Sequence, residues 1–279
     1  MTTTASGRPP VEAPPLVRRL MESRWPLEVA AFATTRLMYP LVAPRRAADG
    51  QPVLVLPGFI AGDDSTLPLR RVLKERGYAV RGWRLGRNVG PTGRIVAGMR
   101  RQLDAMHRAE GRRVSLVGWS LGGVYARLLA RERPEAVRQV ISLGSPYRMT
   151  QGDRSSASHL WETLEHWHSE ELPMVGYDEH ARPPLEVPAT SIYTRHDGVV
   201  RWQLCIDVTG PGAPNPRAEN IEVYGTHIGL GINPSVIVAI LDRLSQPEDD
   251  WRPFRPPLAL RLWYPPSTSW APKRHHDAA

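Results

Sequence analysis

Short apolar runs alternate with amphipathic stretches along most of the chain, and this alternation predicts its main elements. The wholly apolar run 53–56 is typical of a strand buried on both faces of a parallel sheet. The predicted strands cover 53–56, 78–83, 114–117, 137–143, 189–194 and 221–224. Apolar residues at helical spacing predict helices over 67–76, 93–110, 121–130 and 234–244. Short links between them indicate an α/β fold, with a mostly parallel central sheet of about six strands flanked by helices.

The alternation stops over residues 148–186, which predicts a helical cap inserted into the domain. Four large apolar residues lie on one face of a short helix predicted within it: Leu160, Trp161, Leu164 and Trp167. A movable lid over an apolar pocket would need such a helix. Static packing would produce the same stripe, so both interpretations stay open.

The N-terminal part of the chain lies outside the alternation. Residues 1–15, rich in Thr, Pro and small side chains, predict a disordered tail. Residues 16–46 predict a helical segment, broken at Pro26 and stopped at Pro40. Its apolar side is formed by Leu27, Ala30, Ala31, Thr34, Leu37, Met38 and Leu41, and it is flanked by Arg18, Arg19, Arg36, Arg45 and Arg46. We expect it to pack on the domain, with attachment to an anionic membrane surface as the alternative.

The chain of 279 residues, 41% of them hydrophobic, is long enough for one α/β domain, predicted over 47–246. Residues 247–279 form a tail rich in Pro and Trp, part of which is expected to pack on the domain. The single cysteine, Cys205, excludes an internal disulfide. No apolar stretch approaches the roughly 18 residues of a membrane span, and no export signal is visible, so the expected location is the cytoplasm, with peripheral membrane attachment as the alternative.

The net charge of +8 comes almost entirely from arginine, because Lys74 and Lys273 are the only lysines. The arginines are scattered and follow no pattern of a nucleic-acid-binding fold, so no nucleic-acid partner is expected. An anionic membrane surface and an acidic carrier protein remain candidate partners.

The stretch Gly118-Trp119-Ser120-Leu121-Gly122 stands between a predicted strand and a predicted helix. This G-x-S-x-G pattern in that context is typical of a nucleophile elbow, in which a serine at a strained strand-to-helix corner presents its hydroxyl to the site. A side chain at either glycine would collide with the neighbouring backbone at so sharp a bend. Ser120 is therefore the predicted nucleophile.

The loop after the first strand carries Pro57-Gly58-Phe59. In serine hydrolases with this strand order, one oxyanion donor comes from this loop and the other from the residue after the nucleophile. The predicted donors are the backbone N–H groups of Phe59 and Leu121. A Pro-Gly-Phe turn without any catalytic role is the alternative.

A serine hydroxyl needs a histidine to remove its proton and a carboxylate to orient that histidine. Asp197 and His227 each follow a predicted strand and lie in the required order after the serine. They are the predicted acid and base. The rivals by residue type are Asp178, Asp207 and His196, and their positions relative to the strands disfavour them.

Two other sequence patterns are candidate ligand sites, one for phosphate and one for a metal ion. The glycine-rich loop 82–93 matches no phosphate-binding fingerprint and is expected at the rim of the pocket. His159, His166 and His168 in the insertion have no recognised metal-ligand spacing. No metal and no cofactor are therefore expected.

Taken together, five segments resemble the α/β-hydrolase superfamily and, within it, bacterial lipases and carboxylesterases. They are Pro57-Gly58-Phe59, Gly118-Trp-Ser-Leu-Gly-Gly123, Gly144-Ser-Pro146, Asp197-Gly-Val-Val200 and Gly225-Thr-His-Ile-Gly229. The resemblance covers roughly residues 50–245 and implies the α/β-hydrolase fold with a cap. The chain departs from many lipases in having Pro57 in the oxyanion loop and Trp119 before the serine, two positions where lipases often have histidine.

These residues predict a serine ester hydrolase that works through an acyl-enzyme. The substrate pocket is expected to be lined by Trp119, Tyr125, Tyr147, Trp161 and Trp167, which favours a small-molecule or lipid ester with an apolar acyl or aromatic group. One alternative keeps the site but transfers or releases acyl groups of a carrier protein or lipid. A second alternative is a non-catalytic, membrane-associated module on the same fold.

Overall fold

The computed structural model describes residues 10–35, 39, 49–150, 152–169 and 179–270, most of which surround one parallel sheet. The strands are β1 (Pro52–Leu56), β2 (Ala79–Gly82), β3 (Val114–Trp119), β4 (Val137–Leu143), β5 (Ala189–Tyr193) and β6 (Ala218–Glu222). They lie in the order β2-β1-β3-β4-β5-β6 and every pairing is parallel. Because helices cover both faces of the sheet, every residue of β1 and β4 is buried, including the polar Arg138, Gln139 and Ser142 of β4.

Some of the helices cover the two faces of the sheet, and others lie outside these two layers. The helices are α1 (Leu16–Met21), α2 (Trp25–Thr35), α3 (Leu67–Glu75), α4 (Gly93–Glu110), α5 (Leu121–Glu132), α6 (Ser158–Leu164) and α7 (Pro234–Ser245). The apolar faces of α3 and α7 form one core with one face of the sheet, and those of α4 and α5 form a second core with the other. Within the part of the chain that the structure describes, no helix is long and apolar enough to cross a bilayer.

The last strand differs from its prediction. The apolar run 221–224 predicts a strand there, but β6 begins at Ala218 and ends at Glu222. Its polar residues are tolerated because each finds a buried partner: Glu219 accepts hydrogen bonds from Thr190 and Arg243, and Glu222 accepts one from Tyr193. These partners come from a neighbouring strand and a helix, so the hydropathy of residues 218–222 alone could not predict the strand.

The N-terminal segment departs from its prediction in two ways. Residues 10–15 of the predicted disordered tail lie against the insertion, where the N–H of Val11 donates to Asp153 at 2.7 Å. The helix break falls in a 3-10 turn at Glu22–Arg24, and Pro26 is accommodated in the first turn of α2. Several residues named for this segment lie outside the described residues: Arg36, Leu37, Met38, Leu41, Arg45 and Arg46.

The C-terminal part packs on the domain as far as it is described. Phe254 and Tyr264 join the core beside α7, and the Tyr264 hydroxyl donates to the Ser235 carbonyl at 2.8 Å. Trp270 lies under the guanidinium of Arg148, 4.3 Å from its ring centre. The aromatic residues of this tail thus cover apolar surface.

A buried cluster of charges joins α5 to the far end of the insertion. Arg127 is only 4% exposed, and its guanidinium pairs with Glu179 at 2.7 Å and with Asp207 at 2.8 Å. Burial alone would lower the pKa of Arg127, but the charges of Asp207 and Glu179 outweigh it and raise that pKa. The cation therefore stays charged and, together with Arg131 and Arg148, compensates two buried carboxylates.

Replacing Arg127 with methionine is expected to lower the free energy of unfolding by about 3–5 kcal/mol, because it leaves two buried carboxylates short of a partner. Arg133 is the matched control, since it lies at the end of the same helix but is exposed, 3.8 Å from Asp104. Arg133→Met is expected to cost less than about 1 kcal/mol. Urea denaturation measures both, and equal losses would contradict the assignment.

Candidate active site

Ser120 occupies the corner between β3 and α5 with an unusual backbone conformation. Its φ is 53° and its ψ is −120°, a combination that L-residues rarely adopt. A Cβ on Gly118 would overlap the Gly122 carbonyl, and one on Gly122 would overlap the carbonyl of Leu56. The two glycines of the predicted elbow are therefore required by close backbone approach.

Ser120, His227 and Asp197 form a chain of hydrogen bonds. The Ser120 hydroxyl lies 3.0 Å from Nε2 of His227, and Nδ1 of His227 lies 2.6 Å from Oδ2 of Asp197. A carboxylate only accepts, so Nδ1–H donates to Asp197 and leaves Nε2 free to accept the serine proton. The three residues predicted from separate motifs thus meet in the geometry that nucleophilic catalysis needs.

The Asp197 carboxylate is oriented by its own loop. Its Oδ1 accepts hydrogen bonds from the backbone N–H groups of Val199 at 2.8 Å and Val200 at 2.7 Å. The side chain is 2% exposed. With Oδ1 occupied, Oδ2 is the oxygen that faces His227.

The environment of His227 favours its protonated form. Burial by itself would lower the pKa of the imidazole, but the charge of Asp197, its hydrogen bond and the charge of Glu22 together raise that pKa above its ordinary value. An imidazolium at this position is therefore stabilised by the charges around it. Trp119 supports the same loop, because its Nε1–H donates to the His227 carbonyl at 3.1 Å.

Asn88, a residue that the sequence analysis did not single out, holds the loop after β1. It is fully buried, and its side-chain N–H donates to the Pro57 carbonyl at 2.9 Å. Its backbone carbonyl accepts from the N–H of Ile60 at 2.7 Å. Asn88 lies in the glycine-rich loop expected at the pocket rim, where nothing in the local pattern distinguishes it. Its contacts fix the segment that contains Phe59, one of the two predicted oxyanion donors.

A cavity of about 270 Å³ opens beside Ser120. Phe59 and Leu121 line it next to the serine, and Trp161 closes one side with its ring 5.3 Å from that of Phe59. The rest of the wall comes mainly from the insertion and from the loop after β5: Val124, Pro146, Met149, 152–155, Ala157, Ser158, Glu162, Glu165, Val199 and Val200. The insertion therefore covers the site, and whether it moves as a lid stays a prediction.

Four of the five aromatic residues predicted to bind substrate do not line this cavity. Trp119 packs behind the His227 loop, and Tyr125 is fully buried with its hydroxyl on Asn88. Tyr147 is buried with its ring 3.8 Å from the Arg127 guanidinium, and Trp167 is 54% exposed. Of the five, Trp161 alone lines the cavity as predicted. The other predictions were wrong because a large aromatic residue near a motif can pack in the core as readily as in a pocket.

The rival residues are engaged elsewhere. Asp207 pairs with Arg127, and the ring of His196 lies beside Tyr224. Among the residues described, no group of three potential ligands could hold a metal ion. His168 instead approaches the Val89 carbonyl at 3.0 Å. Asp178 lies outside the described residues.

The parallel sheet, its two helical layers and the strand-serine-helix corner define the α/β-hydrolase fold. No family model matches the sequence, and no curated protein matches it. Among solved structures, lipase B of Aspergillus fumigatus superposes with a TM-score of 0.51 at 16% identity, over 73% of this chain and 54% of that one. The chain thus spans about half the length of that lipase.

Two further solved structures have TM-scores of 0.49. One is from the metagenome-derived lipolytic enzymes LipS and LipT, at 17% identity, and it covers 67% of this chain and 91% of that one. The other is the monoacylglycerol lipase of Paleococcus ferrophilus, at 14% identity, with 70% and 96% covered. At these identities the likeness concerns the fold.

Covalent labelling of Ser120 by a fluorophosphonate is expected to become faster as the pH rises. Only neutral His227 can accept the serine proton, and its pKa is raised, so reactivity is lost as the pH falls through a midpoint above about 6.5. Labelling rates between about pH 5 and 9 measure the midpoint. Ser120→Ala controls for labelling elsewhere, and a midpoint below the ordinary histidine range would contradict the assignment.

Proposed function

We propose that the protein is a serine ester hydrolase. The observation that supports this most is the hydrogen-bonded chain from Ser120 through His227 to Asp197, with spacings of 3.0 Å and 2.6 Å, at the edge of a mostly apolar cavity. The α/β-hydrolase fold is compatible with many reactions, so the proposal stands on the site and not on the fold.

In the proposed mechanism the Ser120 Oγ attacks the ester carbonyl carbon while its proton passes to Nε2 of His227. The N–H groups of Phe59 and Leu121 stabilise the oxyanion of the tetrahedral intermediate. The carbon–oxygen bond to the alcohol then breaks, and His227 returns the proton to the leaving alcohol. A water molecule, deprotonated by His227, attacks the acyl-enzyme in the same way and releases the acid and free Ser120.

The cavity wall suggests what the acyl group is. Its apolar part includes Phe59, Val124, Trp161 and Val200, which favour an apolar acyl or aromatic group. Arg154, Glu162 and Glu165 lie on the insertion side, where Arg154 and Glu162 pair at 3.2 Å. An uncharged ester therefore suits this cavity better than a charged one.

The test is hydrolysis of p-nitrophenyl esters from acetate to palmitate by the wild type and by Ser120→Ala. We expect the wild type to hydrolyse at least some of these esters. The turnover rate of the variant is expected to be at least about 10³-fold lower, because the nucleophile is removed. The chain-length optimum then separates esterase from lipase behaviour. If both proteins are folded and equally inactive on the whole series, simple ester hydrolysis is excluded and acyl groups on a carrier protein become the substrate to test.

A second candidate is hydrolysis of esters presented at an anionic lipid surface. It is favoured by α1, where Leu16, Val17 and Leu20 are 66%, 69% and 64% exposed and Arg19 is exposed between Val17 and Leu20. This helix borders the site, because a Cβ on Gly198 would overlap the Arg18 carbonyl. Apolar side chains interspersed with arginine are typical of interfacial attachment.

Co-sedimentation with phosphatidylcholine vesicles, with and without phosphatidylglycerol, tests this candidate. Binding to the anionic vesicles is expected to weaken with salt and to fall at least about tenfold when Leu16, Val17 and Leu20 are changed to serine. Leu258→Ser with Leu262→Ser is the matched control, because these residues are 89% and 90% exposed at the C-terminal end. Equal binding by both variants would reject α1 as the contact surface.

A further inference from the structure

Glu22 is a buried carboxylate that belongs neither to the hydrogen-bonded chain nor to the cavity wall. It lies in the 3-10 turn between α1 and α2 and is 7% exposed. Neither of those helices has a buried side chain. A turn between two helices without buried residues therefore places a charged side chain in the interior of the protein.

The Glu22 carboxylate accepts hydrogen bonds from both loops that carry the histidine and its acid. Its Oε1 accepts from the backbone N–H groups of Gly198 at 2.8 Å and His227 at 2.9 Å. Its Oε2 accepts from the N–H of Ile228 at 2.9 Å. Gly198 directly follows Asp197, so one side chain joins the backbone of the acid loop to that of the base loop.

The close approach of these groups explains a glycine. A Cβ on Gly198 would overlap the Arg18 carbonyl and lie 2.9 Å from Cγ of Glu22. A larger residue there would push the turn away from the two loops. The glycine after Asp197, which the sequence analysis noted only as part of a motif, thus makes room for the N-terminal segment.

The charge on Glu22 is placed beside the imidazole and is not neutralised locally. Among the described residues no arginine or lysine forms an ion pair with it, in contrast to Glu179 and Glu219, which pair with Arg127 and Arg243. Its partners are backbone N–H groups, which satisfy the oxygens but leave the negative charge. That charge contributes to the raised pKa of His227.

A second carboxylate anchors the same segment. Oε1 of Glu28, in α2, accepts from the backbone N–H of Thr226 at 2.7 Å, one residue before His227. Burial raises the pKa of Glu28, and no described residue forms a hydrogen bond with its buried Oε2. Two acidic side chains from the N-terminal segment therefore hold three consecutive residues, Thr226 to Ile228, of the base loop.

We propose that Glu22 is a positioning residue, which fixes the Asp197 and His227 loops relative to each other and places a second negative charge behind the imidazole. This inference rests on the proposed serine hydrolase. The turn Glu22–Arg24 then positions the two loops, and a variant that displaces this turn impairs turnover without touching substrate.

Glu22→Gln removes the charge and sets an amide N–H₂ against at least one donor. We expect kcat to fall about 10- to 100-fold with a smaller change in KM, because a displaced base costs transition-state stabilisation. Loss of the charge is also expected to lower the pKa of His227. The midpoint at which kcat/KM falls on the acidic side of the pH profile (the acid limb) then moves to lower pH. If Glu22 had only a structural role, this midpoint would not change.

Glu12→Gln is the matched control. It removes the same charge from the same segment, but the Glu12 side chain is exposed and only its carbonyl is engaged, by Arg201. The kcat and the pH limb are expected to stay at the wild-type values. Thermal denaturation of each variant shows that it is folded. Unchanged kcat and an unshifted limb in Glu22→Gln would overturn the proposal.

Titration of His227 by NMR keeps this inference separate from the proposed function. It needs histidine labelling but no substrate, and it is run on the wild type, Glu22→Gln and Glu12→Gln. A lower His227 pKa in Glu22→Gln alone supports the placement of the charge even if no ester is hydrolysed. Equal pKa values in all three proteins would reject it, and missing Ser120-dependent turnover would reject the esterase instead.

Discussion

The backbone conformation of Ser120 is the constraint on which the site depends. A non-glycine residue at φ 53° and ψ −120° costs on the order of 1–3 kcal/mol. That cost is offset by packing on both sides of the corner, since β3 is almost wholly buried and α5 buries most of its residues in the second core. The orientation of the hydroxyl is therefore set by the core of the domain, and it exists before any substrate binds.

Parallel topology brings the other two residues to this serine. The strands β3, β5 and β6 end at the same edge of the sheet, and Asp197 and His227 follow the last two. Because neighbouring strands are about 4.8 Å apart, the ends of β3 and β5 are separated by roughly twice that distance. Residues at those two ends are too far apart for a direct hydrogen bond between Ser120 and Asp197. The imidazole of His227, in the loop after β6, lies between them and contacts both.

Local patterns predicted the elements well where burial follows from the sequence itself. The helix over 93–110 and the strand over 137–143 have the predicted bounds. The helix is visible as an amphipathic pattern, and the strand is marked by its apolar residues although it also buries Arg138, Gln139 and Ser142. The serine, histidine and aspartate could be selected because the elbow has a steric signature and the partners follow strands in a known order.

The parts of the site that the sequence did not predict are those made by contacts between distant segments. Tyr125 and Tyr147 were assigned to the pocket but belong to the core, because an aromatic residue near a motif carries no information on which side of a helix or loop faces the cavity. Asn88 and Glu22 act through backbone groups, about 30 and 200 residues away. Every residue has a backbone C=O group, and nearly every residue has a backbone N–H group. A hydrogen bond to such a group therefore does not require a particular residue type at the partner position, and no sequence motif reveals it.

Six of the buried carboxylates fall into two groups that differ in their neighbours. Glu179, Asp207, Glu219 and Glu222 each pair with an arginine, so their charges are compensated and they serve mainly to join elements. Asp197 and Glu22 accept hydrogen bonds from backbone N–H groups instead, and among the described residues neither forms an ion pair with an arginine or lysine. An uncompensated buried charge is costly unless something else uses it. Both lie beside His227, so in the proposed mechanism the imidazolium formed by transfer of the serine proton compensates their charge.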